Sequence, residues 1–246
     1  MKFGSIFLAT LAAFITLNAL AGDPSITSTN KYPWDGSVSA GLTLTKGNSD
    51  TLLFTLKALA DKKEPVNEYH LGADFTYGES DSKRTADSVH GFAQWNHTFT
   101  DDFYGYARVE GLRDDIAGIK YRFTIGPGVG YYFIKDTQTT LAVEGGGSYV
   151  FQRLGTNDTS YMTLRLAQRF EHKFATHGAR VWETVEILPQ VDRIQNYLVN
   201  AEVGVEAAIS KSFTLQVYVD DNYDSEPAPG RKKNDIKLVG AIAYKF

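Results

Sequence analysis

Three groups of residues in this chain have the types and spacing that chemistry needs. Ser88 and His90 share one face of an alternating stretch, and His70 and Asp74 share a face of the stretch before it. Serine beside histidine is the beginning of a nucleophile–base pair, and a hydrolase acting on lipids could carry such a pair on a barrel. Nothing adjacent supplies an oxyanion hole, and x-S-x-H order on a polar face arises readily by chance. A Ser-His lipid hydrolase is therefore the alternative reading.

The second group is ionic. Arg108, Glu110, Arg122, Glu144, Arg165, Arg169, Glu171, Glu186, Glu202, Glu206 and Lys237 each fall on the polar side of an alternating segment. Enclosed in a narrow barrel, such charges either pair across the lumen and fill it, or line a water-filled passage for ions or a small solute. Arg122 lies beside Gly126, Gly128 and Gly130, which leave room for large side chains or a solute.

The third group would be metal ligands, and it is weak. His70, His90, His97, His172 and His177 show no HxH or HxxxH spacing, and Asp101-Asp102, Asp114-Asp115 and Asp220-Asp221 sit at strand ends as solvated turn carboxylates do. No metal or cofactor is expected. The glycines from 126 to 130 precede no helix, so they are not a nucleotide fingerprint.

What must position these residues is a set of strands. Read from the C-terminus, Phe246, Tyr244, Ile242, Gly240, Leu238 and Ile236 share one face, and Lys245, Ala243, Ala241, Val239, Lys237 and Asp235 the other. The same period of two recurs upstream. The first strand, 36–46, sets Val38, Ala40, Leu42 and Leu44 against Ser37, Ser39, Gly41, Thr43 and Thr45, and Gly47-Asn48-Ser49-Asp50 reads as a tight turn. The third, 68–79, carries Tyr69 and Tyr77 at the two ends of its apolar face, as interfacial girdles require. Residues 80–87 and 154–159 read as loops, and Pro127 within the sixth strand predicts a bulge or local break. The count is twelve. The expected fold is all-β: a single antiparallel transmembrane β-barrel of about 12 strands, with short periplasmic turns and longer outer loops, apolar face outward.

The remaining composition agrees. Residues 1–21 have the charge, apolar core and Ala19-Leu20-Ala21 site of a cleaved signal peptide, followed by a periplasmic segment at 22–33 and the barrel at 34–246. Cleavage removes one lysine and no acid, taking the formal net charge from −4 to −5. Charges of both signs are mixed, so no nucleic-acid partner is expected. There are no cysteines, so stability must come from burial and ladder closure. Beyond the signal segment no apolar run approaches the roughly 18 residues of a spanning helix.

Phe246, Tyr244 and Ile242 resemble the C-terminal signal by which bacterial outer-membrane barrels are recognised by the barrel-assembly machinery. Two further stretches, Gly41 to Thr51 and Asp114 to Tyr131, resemble the salt-induced outer-membrane (YdiY-like) proteins, a bacterial family catalogued as a domain of unknown function. The matching pieces are the Gly-Asn-Ser turn, Asp114…Gly118-Ile119…Arg122, and Gly126-Pro127-Gly128-Val129-Gly130-Tyr131. The resemblance implies a barrel in the cell outer membrane, in contact with its lipid and lipopolysaccharide. It supplies no reaction. A non-enzymatic envelope protein or narrow pore is the expected function.

Overall fold

The structure is a computed structural model that describes residues 32–45, 51–175 and 178–246. The expected signal segment, most of the 22–33 segment, the Gly47–Asp50 turn and His177 lie outside these residues. Twelve strands follow one another: β1 (Trp34–Thr45), β2 (Thr51–Lys63), β3 (Asn67–Ser80), β4 (Lys83–Thr98), β5 (Phe103–Asp114) and β6 (Ile119–Lys135), then β7 (Thr139–Leu154), β8 (Asn157–Lys173), β9 (Arg180–Pro189), β10 (Tyr197–Ala208), β11 (Phe213–Asp224) and β12 (Asn234–Lys245). Each pairs antiparallel with its sequence neighbours, and β1 pairs with β12, so the sheet closes on itself. Closure removes the free sheet edges, although β1 and β12 pair only from Ser37↔Lys245 to Gly41↔Ala241.

Alternation decides which face points where. On β12, Leu238 is 65% exposed, whereas Val239 and Ala241 are 4% exposed and Ala243 is fully buried. The apolar face of each strand points outward and the polar face inward, the reverse of a soluble barrel with an apolar interior. Aromatic side chains gather at both ends of the outward band. At the rim where β1 begins and β12 ends (the near rim) are the contacts Trp34–Tyr69, Phe99–Phe103, Tyr131–Phe133 and Phe213–Tyr244. Toward the far rim are Phe54–Phe75, Tyr149–Phe151 and Tyr197–Tyr223.

The closing seam is short and depends on the last residue. Gly36 and Phe246 exchange both backbone hydrogen bonds, each 3.0 Å. The Phe246 ring lies so close over Gly36 that a Cβ there would sit 2.4 Å from it. A Cβ at that position would have to displace the ring. Pairing lines also climb on passing from β1 onward: Ser39 pairs with Lys57, Lys57 with Asp74, Asp74 with His90, His90 with Leu112, Leu112 with Arg122 and Arg122 with Gln152, near the far end of β7. The strands therefore lean against the barrel axis, as closure of a sheet demands.

Two expected loops are strand instead. The ladder runs through most of 80–87 to a two-residue turn, Asp81 and Ser82, both at positive φ (48° and 61°). Such a turn matches the strand twist of a hairpin. The 154–159 stretch likewise narrows to a turn at residues 155–156, with Gly155 at φ 59°. Polar composition there marks where the strands leave the apolar band, not where pairing stops. The longer far-rim connections are 190–196 and 225–233. At the near rim, Asp136 accepts backbone hydrogen bonds from Thr139 (2.5 Å) and Gln138 (2.8 Å), which hold its carboxyl below the usual range. Pro127 interrupts the β6–β7 ladder between Ile125↔Tyr149 and Gly128↔Gly146, with the same register on both sides. It makes a local break and no bulge.

Candidate functional site

The inward face forms one polar interior, and its charges are placed by alternation on β2 to β12. Glu144 of β7 and Glu186 of β9 flank Arg165 of β8, which donates to Glu144 at 2.7 Å and also to Glu186. The three side chains are 7 to 13% exposed. A charge so placed needs its partner, since an unpaired ion in low dielectric costs several kcal/mol, about 3–5 when one member is removed. Arg108 donates to Glu110 at 2.7 Å and stacks over Phe92 at 4.3 Å. Arg180 links Glu171 at 2.8 Å to Glu206 at 3.0 Å, and Glu206 also meets Lys245 and Gln216. Lys237 pairs with Asp220 at 3.2 Å. Arg169 lies within electrostatic reach of Tyr132, Glu144, Tyr104 and Glu68. All eleven inward charges expected from the sequence thus face the lumen.

Several contacts cross it. Lys57 on β2 donates to Glu202 on β10 at 2.6 Å, and its ammonium lies 5.1 Å from the centre of the Tyr218 ring. Tyr132 on β6 donates to Glu68 on β3 at 2.8 Å. Gln94 on β4 donates to Glu144 on β7 at 2.8 Å. Arg122 on β6 reaches Asp224 on β11 at 2.6 Å while also donating to Gln152 at 2.6 Å. These chords divide the interior. Among Arg108, Glu110, Arg165, Glu186 and Asn200 about 340 Å³ lies between atom surfaces, counting space continuous with solvent, yet only about 20 Å³ admits the centre of a water molecule. That suits one or two waters.

The space above Gly128 and Gly130 is taken by aromatics of the neighbouring strand, and that above Gly126 by the Gly147 carbonyl and Ser148 of β7. A Cβ on Gly130 would fall 2.2 Å from the Tyr104 ring, and one on Gly128 2.4 Å from the Tyr106 ring. Gly130 pairs with Tyr104 and Gly128 with Tyr106 in the ladder. The same fit recurs where Phe92 lies over Gly72 and Trp182 over Gly204. Tyr104, Tyr106 and Tyr132 form a buried cluster with Ala142. The inward aromatics and Lys57 were not among the candidates read from the sequence. The signal was present, as Tyr-x-Tyr at 104–106 mirrored by Gly-x-Gly at 128–130 across a hairpin.

At the far rim the 225–233 connection folds over the mouth. Ala228 is buried at 4% exposure and faces Gly118 of the 115–118 connection, where a Cβ would sit 2.9 Å from it. Ser225 hydrogen-bonds Asn196 at 3.2 Å, and Arg193 pairs with Glu226 at 3.1 Å.

The serine–histidine pair gains no support from this geometry. His90 faces Asp74 through Nδ1 at 2.8 Å and Glu110 through Nε2 at 3.3 Å. Both ring nitrogens are engaged by carboxylates, leaving none to take a proton from Ser88. His70 is similarly held between Asp61 at 2.5 Å and Glu68 at 3.7 Å. Among the described residues no group of three histidines or carboxylates converges as a metal ion would need. Asp114 instead accepts from the backbone of Ile116 and Ala117. Ile242 and Phe246 are exposed on the outward face, and the Tyr244 ring lies beside that of Phe246.

The fold and its interior define a closed twelve-stranded barrel with a charged, internally paired lumen. Over residues 38–246 the chain matches the family described as "Protein of unknown function, DUF481", and it belongs to that family. No curated protein matches it. Among solved structures it is similar to the NanC porin, at 7% identity and a TM-score of 0.51 over 86% of this chain and 98% of that one. It is also similar to the KdgM porin (9% identity, TM-score 0.47, 87% and 99% covered). A further similar structure is the translocator domain of the autotransporter NalP from Neisseria meningitidis (12%, 0.47, 87% and 88%). At these identities the likeness to the NanC porin is one of fold alone.

Proposed function

We propose that this protein is a non-enzymatic β-barrel of a Gram-negative outer membrane whose lumen is sealed at rest by its own ion pairs. The observation that carries this is the set of chords across the interior, above all Lys57–Glu202 and Tyr132–Glu68, together with the closely filled region around Arg108, Arg165 and Glu186. An outward apolar band between two aromatic belts supports the membrane setting, with the near rim periplasmic. The signal segment at 1–21 and the terminal Phe246, Tyr244 and Ile242 belong to the same proposal, as the route and the assembly signal. The salt-induced naming of the resembling family adds an osmotic setting to it.

Within the lumen, acidic side chains outnumber basic ones. Asp74, Asp220 and Asp235 on the far side face Lys237 there. Any leak through the barrel therefore favours cations. Liposomes containing the folded protein test the seal: they should not swell in isotonic sugar, whereas swelling at porin-like rates would reject it. Recovery of the native protein in the soluble periplasmic fraction would reject the membrane setting.

A further inference from the structure

Among the described residues, the outward face between the two belts is aliphatic, aromatic or small, with two exceptions beside each other. Gln168 of β8 and Glu183 of β9 both point outward, since their strand neighbours Arg169 and Trp182 point into the lumen. Other polar outward side chains, such as His97, His172 and Asp221, sit within two residues of belt aromatics. Glu183 does not. The Phe174 N–H bonds the Ala179 carbonyl at the near belt, and Glu183 lies four residues further along β9. With a rise of about 3.3 Å per residue and a tilt of about 40°, that is roughly 10 Å inside the band. Among the described residues neither side chain has a polar partner.

In hydrocarbon a polar group is stable only when another protein group satisfies it. The surrounding outward residues, with Leu164, Leu166, Val203 and Val205 each more than half exposed, offer none. Gln168 pairs in register with Val185, and Phe170 with Glu183, so Gln168 and Glu183 are diagonal neighbours, roughly 7–8 Å apart. The climb of the pairing lines makes this diagonal nearly level with respect to the barrel axis. One end of it is an amide donor and the other a carboxylate acceptor. A level donor–acceptor pair is self-complementary under a two-fold axis parallel to the barrel: the donor of each copy meets the acceptor of the other.

We infer that the outward face of β8 and β9 is a homodimer interface, with a second copy of this chain as its occupant and reciprocal Gln168–Glu183 hydrogen bonds at its centre. The inference rests on the membrane-spanning reading. Flotation with lipid vesicles separates the two: protein that fails to float rejects the membrane, whereas floating monomers reject only the interface.

Sedimentation of the full-length folded protein in detergent at several protein-to-detergent ratios is the direct test. The expected species is a dimer, weakened about ten-fold by Glu183→Leu or by Gln168→Leu and restored in the exchange variant Gln168→Glu/Glu183→Gln. A wild-type protein that stays monomeric, forms a higher oligomer, or dimerises regardless of these substitutions overturns the inference. The chain has no cysteine, so disulfide trapping gives an independent check that requires only the folded barrel. Gln168→Cys protein mixed with Glu183→Cys protein should cross-link several-fold more than either alone. Equal or absent cross-linking overturns the two-fold arrangement.

Discussion

The two ends of the lumen, sealed in the function proposed above, differ in what occupies them. Toward the near rim the blockage is built into the ladder: Tyr104, Tyr132, Glu68, Glu144 and Arg165 belong to strands, are buried, and satisfy one another. Toward the far rim the blockage is a connection, 225–233, laid across the mouth and tied down by Arg193–Glu226, whose side chains are about half exposed. An exposed pair of this kind contributes about 0–1 kcal/mol, whereas removal of one member of the buried set costs several times that. The near block can change only if the barrel changes. The far cover rests on a connection, held also by Ser225–Asn196 and the buried Ala228, and not on the ladder itself.

That contrast can be broken from its stronger side first. Arg165→Ala leaves Glu144 and Glu186 buried without a cation, and stability should fall by about 3–5 kcal/mol, read as a lower temperature for loss of the compact band on a semi-native gel. A fall no larger than that of a surface substitution would mean the lumen is wetter than the burial of these groups implies. Gly128→Ala should cost less, about 1–3 kcal/mol, because the new methyl meets the Tyr106 ring and also the Gly145 carbonyl at 2.6 Å, and backbone cannot give way. The same gel reads it, and the double variant Gly128→Ala/Tyr106→Leu should recover only part of the loss. Glu226→Ala should move stability by less than about 1 kcal/mol, yet raise the access of a small water-soluble thiol reagent to a cysteine placed at Ala228. Equal labelling with and without Glu226 would show that the pair does not hold the cover.

Much of this architecture is legible in the sequence, for a simple reason. Alternation with period two assigns each residue a face without reference to any other strand, so the outward run Ile236, Leu238, Ile242 and the inward Arg108, Arg165 and Glu206 can all be read locally. What alternation does not carry is who meets whom across the interior. Lys57 and Glu202 are 145 positions apart, and their meeting follows from strand count and lean, which no local pattern encodes. Tyr104 and Tyr132 escape for another reason: an aromatic on a polar face looks like an interruption until the glycine beneath it on the next strand is identified. The expected loops at 80–87 and 154–159 fail because composition reports the edge of the apolar band, while backbone pairing continues beyond it to Asp81-Ser82 and Gly155.

Single-channel recording in a planar bilayer, comparing the wild-type barrel with the Lys57→Ala/Arg122→Ala variant, addresses the seal itself. The wild type should give no steady conductance steps. The variant, lacking two chords across the lumen and two of its cations, should give discrete steps that favour cations. Steady porin-sized steps from the wild type, unchanged in the variant, would contradict a lumen closed by its own ion pairs.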